Sequence, residues 1–361
     1  MPMRRLWFLI FIYVLAASGP ADGQTAPKAA PDPATGGTSP PSASRLSRWL
    51  DLQGGNLALD YKRAEATGTP WYYQLQYRFL VRGLLNLDEK KRYGVGFRVS
   101  TGNTFTFSWN NTGAGRGDFE PGVYLKELFL SASPWKRVGI QFGGIGINRG
   151  ESTEITSYSN NGYLTGERIS IRCPEKLFFD EISATGAYLG DLDKPGVFER
   201  LHRLASMNYH QFLIAKKIGK QLSVSADYTF QDGVETLRQA LKLNIKRNRF
   251  LDSLVFENYE RLDLQPAWGC AVSAQKSLGP RLTLTGGYVD IDKYYVNLNA
   301  DRMGKGRRLY IVATYNFWRD FSAGVYATRA FLNDFLLSNE ARFDLILTYD
   351  IVKGLKRGGI L

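Results

Sequence analysis

Cysteine and histidine are almost absent from this chain of 361 residues, which contains two of each. Cys173 and Cys270 are about a hundred residues apart, with no CxxC pair and no histidine at ligand spacing, which argues against a zinc site. Two free thiols or one disulfide bridge both remain open. His202 and His210 have no serine at a motif spacing, so a hydrolase that uses His210 as its base is only a minor alternative.

Long apolar runs are also missing after the N-terminus. The mean hydropathy is −0.25, and no window of about 18 apolar residues follows the first segment, so no membrane helix is expected in the mature chain. Residues 1–23 combine two early arginines, a short apolar core and Ala21-Asp22-Gly23, which predicts a cleaved secretory signal. A cut after Ser18 is an alternative. No cysteine follows the apolar core, which excludes a lipid-anchored lipoprotein.

The net charge of +12 suggests nucleic acid or an anionic membrane surface as a partner. The secretory signal takes the protein out of the cytoplasm, so we expect no nucleic-acid partner. Residues 24–53 comprise a Pro/Ala/Gly/Ser-rich linker, which cannot bury a core, and a short lead-in to the first strand.

From residue 54 to residue 351 the chain repeats the period-two pattern of a β-strand. In Leu222–Gln231, five apolar residues alternate with Ser223, Ser225, Asp227, Thr229 and Gln231. About sixteen such segments occur, joined alternately by short turns and mostly longer loops. This order predicts an all-β fold, a transmembrane up-and-down antiparallel β-barrel of about 16 strands whose polar face lines water. Residues 352–361 are predicted to form a basic C-terminal tail.

The short turns are rich in lysine and arginine, and aromatic residues cluster near strand ends, as at Trp135 and Trp318. Both features suit membrane interfaces. Both termini are counted at the short-turn end, which is periplasmic in bacterial outer-membrane barrels.

The chain resembles bacterial outer-membrane porins over residues 54–351, with a further local likeness to porin-like and alginate-export-like barrels. The local likeness lies in Val138–Arg172, where the strand VGIQFGGIG precedes a long loop and Gly166-Glu167-Arg168. The resemblance implies passive diffusion of small solutes, and a third long loop, here 144–165, folded into the lumen as a constriction. It also leaves a homotrimer open and implies no cofactor or metal.

Two sets of site residues follow. Inward-facing residues predicted to line the pore and set its selectivity are Arg78, Arg82, Arg98, Arg168, Arg172, Arg238, Lys242, Arg342 and Asp227. The constriction-loop residues are Arg149, Glu151, Glu154 and Tyr163. An excess of fixed positive charge would concentrate anions in the lumen. The opposing interpretation is that the arginines pair with carboxylates and only pack the wall.

The sequence thus predicts a non-enzymatic outer-membrane channel for small hydrophilic solutes, with a preference for anions and with lipid around it. Three alternatives remain. The first is an exporter or assembly barrel for an anionic exopolysaccharide, the second an outer-membrane hydrolase, and the third a secreted soluble β protein.

Overall fold

The computed structural model describes residues 48–104, 106–153, 155, 163–172, 178–245, 249–295, 305–331 and 340–361. The first eight strands in chain order are β1 (Leu50–Glu65), β2 (Tyr72–Asn86), β3 (Tyr93–Thr101), β4 (Asn110–Gly115), β5 (Val123–Trp135), β6 (Val138–Gly146), β7 (Tyr163–Arg172) and β8 (Glu181–Tyr188). The remaining strands are β9 (Tyr209–Ile218), β10 (Leu222–Gln231), β11 (Val234–Asn244), β12 (Ser253–Arg261), β13 (Ala267–Leu278), β14 (Leu282–Ile291), β15 (Gly306–Trp318), β16 (Phe321–Ala330) and β17 (Ala341–Asp350). A short helix, α1 (Ile351–Arg357), follows.

Sixteen of these strands form one closed antiparallel barrel. The strand outside this count is β4. Each barrel strand pairs with the next one in sequence, β3 pairs with β5, and β1 pairs with β17 from Asn56↔Asp350 to Glu65↔Ala341. Closure leaves no free edge, so the backbone polar groups of every barrel strand have partners within the wall. This confirms the predicted up-and-down barrel of about 16 strands.

Alternation along each strand separates an apolar outer face from a polar inner face. On β1, Leu57 and Leu59 are 49% and 50% exposed on the outside, whereas Asp60 and Lys62 are 0% and 7% exposed on the inside. The same division recurs at Leu345 and Leu347 on the outside and Asp344 on the inside of β17. A barrel with this distribution is matched to hydrocarbon outside and water or packed polar groups inside.

The two rims differ in their connections. At one rim the turns are short, such as 136–137 and 319–320; at the other, the connections include 147–162 and 189–208. Exposed Trp135 and Trp318 lie at the short-turn rim, and exposed Trp71 and Tyr73 at the other. Among the described residues, no helix is both long and apolar enough to cross a bilayer.

Three details differ from the sequence prediction. β1 begins at Leu50 rather than residue 54, with a bulge between Leu52 and Gly54. The closing strand ends at Asp350, whose side chain accepts a hydrogen bond from the Lys353 amide and so caps α1. The 102–122 connection contains β4, which pairs with β2. The alternation of apolar and polar residues does not predict these three details, because bulges and helix caps interrupt its period of two.

Candidate functional site

The segment that follows β6 lies inside the barrel. The Asn148 carbonyl accepts a hydrogen bond from Gln211 Nε2 at 2.8 Å. The Glu151 amide donates to Ser225 Oγ at 2.8 Å, and the Thr153 amide donates to Glu257 Oε1 at 3.0 Å. These anchors belong to β9, β10 and β12, so residues 148–153 run along the inner wall in strand order.

Ile155 belongs to a hydrophobic cluster further along the inner wall. It packs in a buried cluster with Tyr259 and Val289 of β12 and β14, and with Tyr295. β14 is the seventh strand after β7, close to half of the sixteen-strand circumference. Burial raises the pKa of the Tyr295 hydroxyl above its usual value of 10.0. The described part of the segment thus follows the inner wall from β9 to β14.

The four predicted loop residues have different positions. Glu151 Oε2 is 3.9 Å from Lys242 Nζ of β11, and Arg149 lies two residues earlier on the same inward segment. Glu154 falls outside the described residues. Tyr163 is the first residue of β7 rather than part of the loop: its hydroxyl donates to the Pro195 carbonyl at 3.2 Å, and the Arg200 guanidinium lies 4.5 Å from its ring.

Three of the predicted arginines are paired with carboxylates on the inner wall. Arg98 Nη1 is 2.9 Å from Glu127 Oε1. Arg238 donates twice to Asp227, at 2.9 Å from Nε and 2.6 Å from Nη2. All of these pairs lie in polar, largely buried surroundings and carry little net charge.

Arg342 is the third of these arginines. Its Nε donates to Asp344 Oδ1 at 2.7 Å, and its Nη2 lies 4.0 Å from Asp60 Oδ2. All three side chains are 0% exposed. A guanidinium enclosed in this way has no contact with a solute, so Arg342 serves to hold β1 to β17.

Arg168 and Arg172 of β7 differ from the paired arginines. Arg168 donates to three neutral acceptors: Thr185 Oγ1 at 3.0 Å, Gln141 Oε1 at 3.1 Å and the Gly146 carbonyl at 2.6 Å. Arg172 is 72% exposed and reaches Glu181 at 3.5 Å. The positive charge of β7 is therefore less neutralised than that of β3, β11 or β17.

Arg78 and Arg82 lie on β2. Arg78 Nε donates to Asn56 Oδ1 at 2.9 Å, and its guanidinium stacks 4.5 Å from the Trp109 ring. Arg82 is exposed and stands in register with Arg98 of β3. All the predicted pore-lining residues are thus on the inner face, but they are distributed around the wall and do not form one cluster.

A second inward segment, residues 102–104 and 106–109, was not predicted. Lys126 is 0% exposed and donates to the Thr104 carbonyl at 2.8 Å and to the Phe107 carbonyl. The buried Trp109 at its end rests against Arg78 on the inner wall. The sequence signal was Lys126 itself, a charge that interrupts the apolar face of β5 next to a register shift.

Two adjoining cavities lie beneath the inward segment, against the inner wall of β5 to β9. Their volumes are about 530 and 500 Å³, and they share Asn148, Arg172 and Glu181. The basic residues that line them are Lys136, Arg137, Arg168, Arg172, Lys216 and Lys217. The acidic ones are Glu127, Glu151, Asp180 and Glu181. We refer to the two cavities together as the vestibule.

One cysteine and one histidine of the described chain lie in strands β13 and β9. Cys270 is a free thiol in β13, and Cys173 is outside the described residues. His210 is exposed on the outer face of β9, with its ring 6.3 Å from that of Phe230. It therefore points away from the barrel interior.

Comparison with known proteins identifies the architecture. No family model matches the sequence, and no curated protein matches it. Among solved structures, Salmonella typhi OmpF in complex with daunomycin superimposes with a TM-score of 0.56 at 13% identity, over 83% of this chain and 97% of that one. A mutant of the Rh. blastica porin gives a TM-score of 0.50 at 13% identity, over 83% and 99%. The chain therefore has the fold of the bacterial porins.

Proposed function

We propose that this protein is a porin-like outer-membrane channel through which small hydrophilic solutes diffuse passively, with a preference for anions. The observation that carries the proposal is the inward segment, residues 148–153 with Ile155, fastened along the inner wall of a closed barrel with an apolar outer face. Such a segment narrows a lumen without closing the wall. No catalytic step is needed for this activity.

The setting follows from the chain as a whole. Residues 1–23 have the pattern of a secretory signal, and the exposed apolar belt suits the lipid of a bacterial outer membrane. In this arrangement the short-turn rim and both termini are periplasmic. A homotrimer is part of the proposal on the likeness of fold to porins.

The narrowest part of the channel is assigned to residues 148–153 and Ile155 and to the wall that faces them. Glu151 and Lys242 lie 3.9 Å apart on the same side of this region, so they form an ion pair and largely offset each other's charge.

The preference for anions rests on the vestibule rather than on all the arginines. The neutralised pairs of Arg98 and Arg238 and the enclosed Arg342 contribute little to it. Six basic residues and four acidic ones line the two cavities, but Lys216 shares the outer face of β9 with His210, so the inner face carries an excess of one positive charge. Fixed charge of one sign in a partly enclosed space raises the local concentration of the opposite ion.

Planar-bilayer recording of the purified protein in a KCl gradient tests the proposal. We expect stepwise conductance and a reversal potential on the chloride side. If neither the wild type nor a variant lacking residues 149–154 conducts, the channel function is rejected. A reversal potential on the potassium side would reject the anion preference alone. Loss of polymer secretion on gene deletion, without conductance, would favour the exporter.

A further inference from the structure

The vestibule has a shape and lining that bulk diffusion does not require. Its two cavities share Asn148, Arg172 and Glu181, so they form one recess beneath the inward segment. Gly146, Ile147 and Asn148 line the larger cavity beside the strands of the wall. A solute that passes the narrow region would enter this recess directly.

Arg168 supplies a fixed cation at the wall of the recess. Its residue is 8% exposed, and its three hydrogen bonds to Thr185, Gln141 and Gly146 hold the guanidinium in place. A guanidinium has five N–H donors, so two are left over. In the described part of the chain no carboxylate forms a salt bridge with it; Glu127 and Glu181 contact Arg98 and Arg172 instead.

Arg172 lies four residues further along β7 than Arg168, which is two periods of the strand alternation. Its side chain is 72% exposed and only 3.5 Å from a single carboxylate oxygen, so it is free to reorient. Arg168 is held in place and Arg172 can move. Such a pair of guanidinium groups suits an anion with a planar carboxylate, because both groups can donate hydrogen bonds to it.

Hydroxyl groups make up a second part of the lining. Ser131 and Ser133 of β5 and Ser170 of β7 all face the larger cavity, and Ser170 lies between Arg168 and Arg172 on the same face. Each hydroxyl both donates and accepts a hydrogen bond. Charge alone attracts any anion, whereas hydroxyl groups beside that charge favour an anion that itself carries hydroxyls.

We propose that the vestibule is a binding subsite for small hydroxylated organic anions of the sugar-acid class, with the carboxylate at Arg168 and Arg172 and the sugar hydroxyls at the three serines. The inference rests on the proposed channel function and deepens it. The solute is retained briefly beneath the inward segment and then released at the short-turn rim.

The test is a single-channel titration with three probes in constant KCl: D-glucuronate, acetate and D-glucose. Glucuronate has both carboxylate and hydroxyls, acetate has only the former, and glucose only the latter. We expect glucuronate, added from the short-turn side, to interrupt the chloride current in a saturable way at concentrations where acetate and glucose do not. Equal effects of acetate and glucuronate would overturn the subsite and leave a general anion channel.

Substitutions locate the subsite. Arg172→Gln should weaken the glucuronate effect about tenfold or more, since a hydrogen-bonded charge is lost. Arg82→Gln is the matched control: it removes one exposed inner-face arginine from β2, outside the vestibule lining, and should leave the glucuronate affinity unchanged. Equal losses in both variants would contradict the placement.

Further measurements distinguish the role of the serines, the subsite and the channel itself. Ser170→Ala leaves both arginine charges in place and should weaken the saturable glucuronate block without changing the chloride preference; an unchanged glucuronate block would count against the serines. Absence of any chloride conductance rejects the channel itself. Normal chloride conductance without saturable glucuronate block rejects only the subsite.

Discussion

Arg238 and Asp227 stand directly opposite each other on neighbouring strands, joined by two hydrogen bonds of 2.9 and 2.6 Å. Their side chains are only 6% and 2% exposed. The pair therefore ties β10 to β11 on the inner face, and each group depends on the other for compensation of its charge.

Removal of one partner should destabilise the barrel strongly. Arg238→Met leaves the Asp227 carboxylate buried and uncompensated, and we expect a loss of about 3 to 5 kcal/mol in the free energy of unfolding. Urea unfolding of the protein in lipid vesicles measures this. The double variant Arg238→Met, Asp227→Leu should recover most of the loss. A single variant as stable as the wild type would contradict the prediction.

This pair also shows what the sequence could have revealed. Asp232-Gly233 is a two-residue hairpin with positive φ at both positions, 49° and 81°, the signature of a type I′ turn. Such a turn sets the register of its two strands, and counting outward from it places Asp227 opposite Arg238. The expectation of mostly longer loops at this rim left the pair unassigned, because a longer loop does not fix the register of its strands.

Other features were predictable only in part. The sixteen strands follow from alternation, because the side-chain period of an extended chain is independent of distant contacts. The path of residues 148–153 depends on Ser225 and Glu257, which are far away in sequence. Alternation puts Val224 on the apolar outer face of Leu222–Gln231, but it is only 1% exposed, flanked in register by the longer Lys216 and Leu241.

Release of the inward segment should widen the channel. Glu257→Ala removes the acceptor of the Thr153 amide, and a hydrogen bond to a charged group contributes about 1.5 to 3 kcal/mol. We expect higher single-channel conductance and faster passage of larger neutral sugars. Glu257→Gln keeps an acceptor oxygen and is the matched control. Conductance raised equally by both substitutions would point to charge rather than to the anchor.

The polarity of the two faces can be tested with one residue type. Leu59→Arg places a charge on the exposed outer face in the middle of β1, and should cost about 2 to 4 kcal/mol of stability in lipid. Gly139→Arg is the inner-face control, because a side chain there has open space. The measurements are assembly yield and urea unfolding. Similar losses for both would argue against a lipid-facing outer wall.

Acid should loosen two neighbouring short turns together. Asp252 accepts from Lys276 Nζ at 2.9 Å and from the Ser277 amide at 2.7 Å, and these bonds hold the pKa of its carboxyl below the usual value of 3.8. A lowered pKa means that this stabilisation is complete above pH 3.8 and is lost as the pH falls through the folded-state pKa.

The carboxyl carbon chemical shift of Asp252, followed by NMR in detergent, checks this directly. Its titration midpoint should lie below 3.8 in the wild type and move toward that value in Lys276→Met. Lys220→Met, in another short turn, is the control. A midpoint at or above 3.8 in the wild type would refute the prediction.

The seam between β1 and β17 has a consequence for how the chain matures. Every other pairing of the wall joins strands that follow one another, apart from β3 and β5, which are separated only by the connection that contains β4, so each can form locally with a small loss of chain entropy. The seam instead joins Asn56 to Asp350, and it cannot exist until the chain has been synthesised as far as β17. Until then the terminal strand edges have unpaired backbone N–H and C=O groups. A truncated or stalled chain is therefore expected to aggregate or be degraded and not to form a smaller pore.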